Sequence, residues 1–158
     1  MTDSAVAFDE SRSRLEEPTT GSQLTGIVTL SHATDALISS LRRIAELMLL
    51  PDDWDSYGSP RIQLVAAQRA AEVLSAAENE AFLTPQIVPV SGGGLQIEWT
   101  SGRRELEIEI LPHGDVEYLI AEGEKTYEAP LPTRDISWYV PELVRWLSGA
   151  RAYVAQVR

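Results

Sequence analysis

Hydrophobic positions recur along this chain with two different periods, and the change of period divides it. Between Ser31 and Leu50, the residues Leu37, Leu41, Ile44 and Met48 fall at spacings of four, three and four, which lines one face of a helix that Pro51 stops. Ser31 and Thr34 are its candidate N-caps, with His32 near the entrance. A polar connector follows at 51–60 (PDDWDSYGSP). Its closing Ser59-Pro60 reads as an N-cap and a first helical proline, opening a second helix whose apolar face is Leu64, Ala67, Ala71 and Leu74 and which fades by Asn79. From Gln86 the period becomes two. A strand QIVPV carries Pro89 and therefore belongs at a sheet edge or a bulge.

Beyond the turn Ser91-Gly92-Gly93-Gly94, apolar Leu95, Ile97 and Trp99 alternate with Gln96, Glu98 and Thr100. Leu106, Ile108 and Ile110 alternate with Glu105, Glu107 and Glu109, and Val116, Tyr118 and Ile120 with Glu117, Leu119 and Ala121. This predicts an antiparallel meander with one apolar and one acidic face. Register follows because a slip of one residue would put neighbouring apolar sets on opposite sides. A two-residue Gly102-Arg103 turn of the II′ type pairs Trp99 with Leu106 and Ile97 with Ile108. A three-residue loop of Pro112, His113 and Gly114 pairs Ile110 with Val116, whereas a two-residue His113-Gly114 loop would mix the faces. A last strand is expected around 125–128 after the Glu122-Gly123-Glu124 turn. Pro141 then opens a C-terminal helix with Leu143, Val144, Trp146 and Leu147 on its stripe, which Gly149 ends or interrupts before Tyr153 and Val154.

The fold class expected is α+β: an antiparallel meander of four or five strands, packed on one face by two N-terminal helices and one C-terminal helix, the other face open. Residues 1–25, with mixed charges, Pro18 and Gly21, read as a mobile tail, and 26–158 as a single domain. Trp99, Leu106, Ile108, Ile110, Tyr118 and Ile120 are expected to meet Leu37, Leu41, Leu74 and Trp146 in the core.

Composition then narrows the chemistry. The 158 residues include no cysteine, which removes disulfides, thiol catalysis and thiolate zinc sites. No apolar run reaches membrane-spanning length and the start lacks signal-peptide character, so the expected location is cytoplasmic, without a membrane. With 24 acidic against 13 basic residues, the net charge of -11 repels a phosphate backbone, so direct nucleic-acid binding is disfavoured and a charged partner should be basic.

The acidic face concentrates this charge. Glu98 falls opposite Glu107, and Glu109 sits between Gln96 and Glu117, at a cost of a few tenths of a kcal/mol per like-charged pair. Arg103, Arg104 and Lys125 reaching over the sheet, a divalent cation or a basic protein surface could offset that cost. Carboxylates on a flat sheet splay apart, so no metal or other cofactor is expected. A convex, wet face also does not suit paired acid/base catalysis.

In the connector, Asp53, Asp55 and Gly58 match the first, third and sixth positions of a calcium loop. Tyr57 at the fifth and Leu64 at the twelfth do not. Trp54 and Tyr57 either fold back over the core or form an aromatic patch on which a partner docks, with Asp55 beside them. The two histidines have no companion that suggests a metal or a triad.

The runs LPDDWDSYGSP at 50–60, PQIVPVSGGGLQIEW at 85–99, RELEIEI at 104–110, GDVEY at 114–118 and RWL at 145–147 resemble a loosely related set of small bacterial proteins. These pair a WDGYG-like connector with a GG-hydrophobic-x-hydrophobic-E-W hairpin. The resemblance spans about residues 45–150 and implies an α+β fold, but no catalytic residue. Ser56 stands where glycine is common in that set, which suggests that glycine's backbone freedom is dispensable there.

The functional expectation is a non-enzymatic interaction protein, antitoxin- or inhibitor-like, that binds a basic protein partner through Trp54, Asp55, Tyr57, Glu98, Glu107, Glu109 and Glu117. Two alternatives stand beside it: a small-molecule-binding domain or enzyme with a pocket between helices and sheet near Trp54 and Tyr57, and a self-associating homo-oligomer.

Overall fold

Strands β1 (Gln86–Val90), β2 (Gly94–Ser101), β3 (Arg104–Ile110), β4 (Val116–Glu122) and β5 (Lys125–Leu131) form one antiparallel sheet in sequence order. The computed structural model describes residues 35–80 and 83–150. The tail expected over 1–25, the caps at Ser31 and Thr34, and any continuation through Tyr153 and Val154 lie outside the described residues. Three helices pack on one face of the sheet: α1 (35–47), α2 (Leu64–Ala77) and α3 (Ile136–Leu147). The protein is α+β, as its alternating pattern implies.

The registers follow the apolar faces. Trp99 pairs with Leu106, Ile97 with Ile108, and Ile110 with Val116. Gly102 has φ 61° while Arg103 stays at negative φ, as a II′ turn requires. In the next hairpin Leu111 N donates to Asp115 O at 2.8 Å, enclosing Pro112, His113 and Gly114, and Gly114 takes φ 96°. The last turn is the two-residue Gly123-Glu124, closing on the pair Glu122 and Lys125. β5 runs three residues beyond the expected 125–128 because Pro130, which cannot donate to a ladder, lies on an edge strand where no bond is required of it. Pro89 lies on the opposite edge strand.

Trp99, Leu106, Ile108, Ile110, Tyr118 and Ile120 are buried against Leu74 and Trp146, as expected. All three helices depart from the sequence reading. On α1 the buried line is Ser40, Ile44 and Leu47 with Leu37 half-buried, so Leu41 turns away from the core and is 37% exposed. On α2 the buried face is Ala66, Ala67, Ala70, Val73, Leu74 and Ala77, whereas Leu64 is 60% exposed.

That helix also starts five residues after Ser59. Ser59 donates its hydroxyl to Asp55, Arg61 is tied to Asp52, and Gln63 N donates to Gly93 O at 2.9 Å, which together hold the chain extended until Leu64. Finally, α3 starts at Ile136 after a 3-10 turn at Thr133–Asp135, and Pro141 lies inside it. An internal proline costs about 3 kcal/mol. Burial of Ile136 and Val140, at roughly 1.5–3 kcal/mol each, offsets it.

The β3–β4 loop gives a direct test of this packing. A Cβ on Gly114 would lie 2.6 Å from Val65 Cγ1 as well as at positive φ. Gly114→Ala should therefore lower unfolding free energy by about 1–3 kcal/mol in a denaturant titration.

Candidate acidic face and connector

The buried registers carry the polar alternates with them onto the open face. One row across the sheet reads Gln86, Glu98, Glu107, Leu119 and Glu128; the next reads Val88, Gln96, Glu109, Glu117 and Pro130; and Thr100, Glu105, Ala121 and Thr126 form a third. Glu98 thus opposes Glu107, and Glu109 lies between Gln96 and Glu117, as the turn analysis required. Glu105 and Glu128 extend the cluster, and half-buried Leu119 stands among its carboxylates. Gln96, Glu107, Glu109, Glu117, Leu119 and Glu128 line a shallow depression of about 230 Å³.

No lysine or arginine occupies an open-face position in the five strands. Arg104 and Lys125, two of the expected counter-charges, belong to the alternating set on the helix side. Arg104 donates to Glu122 Oε1 at 3.1 Å and to the Trp146 carbonyl at 2.5 Å, with its guanidinium 5.1 Å from the Trp146 ring centroid. Relief comes instead from Gln96, whose Nε2 donates to Glu98 Oε1 at 2.9 Å and to Glu107 Oε2 at 3.3 Å. One amide therefore bridges the directly opposed Glu98 and Glu107. Partial burial, and then the charges of Glu98, Glu105 and Glu109, raise the Glu107 pKa above the ordinary carboxylate value.

The connector is a hydrogen-bonded knot. Asp53 Oδ1 accepts from Gly58 N at 2.7 Å, and Asp53 N donates to Ser59 O at 2.7 Å. Asp55 accepts from Tyr57 N, Ser59 N and the hydroxyls of Ser59 and Ser91. These donors, the Ser59 hydroxyl first, hold the Asp55 carboxyl down at about 2. Both aspartates are thus committed to local donors, and among the described residues no group of three His, Asp or Glu side chains is placed to hold a metal ion.

Asp55 joins the connector to the β1–β2 loop through Ser91, at the end of the sheet nearest the Gln96, Glu109 and Glu117 row. Trp54 is half-buried and donates Nε1 to Pro60 O at 3.3 Å. Tyr57 does not fold over the core: it is 93% exposed. Ser56 has φ 62°, so the freedom that glycine would supply at this position is used after all, at a steric cost.

The space between helices and sheet beside Ser40, Leu74 and Trp99 amounts to about 20 Å³, room for one water and no ligand. An open trough of about 470 Å³ between α1 and β1 is lined by Arg42, Arg43, Glu46 and Gln86 among others. Neither Trp54 nor Tyr57 lines either space. Among the described residues no helix is long and apolar enough to cross a membrane. Comparison with protein-family models, curated proteins and solved structures yields no match.

Two outcomes follow for the connector. Ser56→Gly should stabilise the protein by about 0.5–1 kcal/mol in a denaturant titration, because relief of the left-handed strain exceeds the added unfolded-state entropy. The depressed Asp55 pKa contributes stability above the unfolded value of 3.8 that is lost as pH falls through about 2. Acid unfolding of Asp55→Asn should accordingly show a weaker pH dependence between these values.

Proposed function

We propose that this is a non-enzymatic interaction protein, antitoxin- or inhibitor-like, that captures a basic protein partner on the open face of its sheet. The observation that carries the reading is the segregation of charge: Glu98, Glu105, Glu107, Glu109, Glu117 and Glu128 share one face on which no strand position is cationic. An uncompensated field of this kind steers encounter with a positively charged surface and repels an anionic one. Leu119, Val88 and Pro130 offer apolar contact between the carboxylates, so desolvation on docking is not confined to charged groups. Tyr57, held out on the knotted connector, supplies an aromatic anchor at low entropic cost. The half-buried Glu107 gains most, because a partner's cation would remove the repulsion it now carries.

The test compares wild type with the quadruple variant E98K/E107K/E109K/E117K. Affinity capture from native lysate should recover a basic polypeptide with wild type, released by salt and absent from the variant. The association rate of that polypeptide should fall about tenfold or more in the variant and lose its dependence on ionic strength. Equal capture and equal rates for the two proteins would refute the reading. Without any partner, Glu107→Gln should raise stability at neutral pH by a few tenths of a kcal/mol, since it removes two or more like-charged neighbours.

A further inference from the structure

The two edges of the sheet differ in what they leave unpaired. In an antiparallel strand both backbone groups of a residue point to the same side, and the two-residue turn at Gly123-Glu124 makes Glu122 and Lys125 a hydrogen-bonded pair. Lys125, Tyr127, Ala129 and Leu131 therefore bond to β4, while Thr126, Glu128 and Pro130 direct their backbone groups outward. Pro130, which has no N–H, falls in the outward set, as it must. The same alternation on β1 leaves Ile87 and Pro89 outward; there the Ile87 carbonyl accepts from Arg43 Nε at 3.3 Å and Pro89 has nothing to donate. These two devices leave the β1 edge with a single outward N–H, that of Ile87, against two on β5, those of Thr126 and Glu128. Among the described residues nothing pairs with the outer edge of β5, and Thr126, Glu128 and Pro130 are all exposed.

The two sides of the β5 edge also differ in chemistry. On the open face stand Glu128 and Glu117. On the helix side α3 contacts β2 and β3 and leaves Tyr127 uncovered at 42% exposure. The Tyr127 ring lies 6.1 Å from that of Tyr118, and Trp138, 52% exposed, makes an edge contact with Tyr139 at 4.7 Å. The Tyr118 hydroxyl is pushed up to about 12, chiefly by burial and then by Tyr127, with Tyr139 contributing.

We infer that β5 is a docking edge for an extended segment of a protein partner in which basic and apolar residues alternate, added to the sheet as a sixth strand. Period two sends every second side chain of such a segment toward the carboxylates of Glu128 and Glu117 and the others toward Tyr127, whose exposed ring lies beside buried Tyr118. Backbone bonds to Thr126 and Glu128 supply affinity that is independent of side-chain identity, and the alternation supplies selectivity. This rests on the reading above that the partner is basic, but it adds a place and a conformation.

Two short synthetic peptides of one composition test it, one alternating lysine and valine and one with the lysines in a single block. The alternating peptide should bind the full chain about tenfold or more tightly than its isomer. It should slow amide hydrogen exchange at Thr126 and Glu128 in NMR spectra. Thr126→Pro, which removes an outward donor without touching a β4 bond, should bring the alternating peptide to the isomer's affinity. Methylating alternate backbone nitrogens of the peptide should do the same with the protein unaltered, so a folding defect in the variant cannot imitate the result.

Equal affinity of the isomers, or binding of neither, would overturn the edge; if the quadruple glutamate variant still loses the basic partner, the acidic-face reading survives. Protection of Thr126 and Glu128 that grows with protein concentration and without peptide would also overturn it, in favour of a second copy pairing edge to edge.

Discussion

The packed face of β2, β3 and β4 is the constraint from which the rest follows. Ile97, Trp99, Leu106, Ile108, Ile110, Tyr118 and Ile120 share one side of the sheet, and each of the aliphatic ones contributes roughly 1.5–3 kcal/mol through burial. A register slip would expose all of them at once. The repulsion between Glu98 and Glu107, or between Glu109 and Glu117, amounts to a few tenths of a kcal/mol and cannot compete. The carboxylates are stacked because the opposite side is greasy, and Gln96 bridges two of them with its side-chain amide.

Charge is sorted by the same alternation. Arg104 sits among the helix-side residues of β3, where it bridges Glu122 to the end of α3 and stacks on Trp146. A guanidinium in that position stabilises the helix–sheet junction through a carbonyl bond and a ring contact, and it is lost to the acidic face as a counter-ion. Among the described residues the open face is left with carboxylates that no strand cation compensates, interleaved with Leu119, Val88 and Pro130. A surface of that composition suits electrostatic steering followed by limited apolar contact.

The connector serves a different purpose from the one its aspartates suggest. Asp52, Asp53 and Asp55 satisfy the N–H groups of a chain that must leave α1, cross the end of the sheet and enter α2, and Ser91 ties the crossing to the β1–β2 loop. Their carboxylates are spent on that turn. What the knot presents outward is Tyr57, rigidly supported and almost wholly solvated.

Much of this was legible in the chain itself because a period of two leaves few choices. Alternation with Gly102, and with Gly114 three residues into a loop, determined the strand pairs, the side on which Glu98, Glu107, Glu109 and Glu117 lie, and the edge position of Pro89. Helices carry less information, since a stripe of alanines and leucines can rotate by one position at little local cost. Contact with the sheet decided that Ser40 instead of Leu41 faces inward, that Leu64 does not, and that Gln63 instead of Ser59 precedes α2. Nor could local pattern show that Arg104 would be drawn to Trp146, that Ser56 would adopt a left-handed backbone, or that α3 would pack chiefly over β2 and β3 and leave Tyr127 partly exposed. Each of those depends on groups distant in sequence that meet only once the layers have packed.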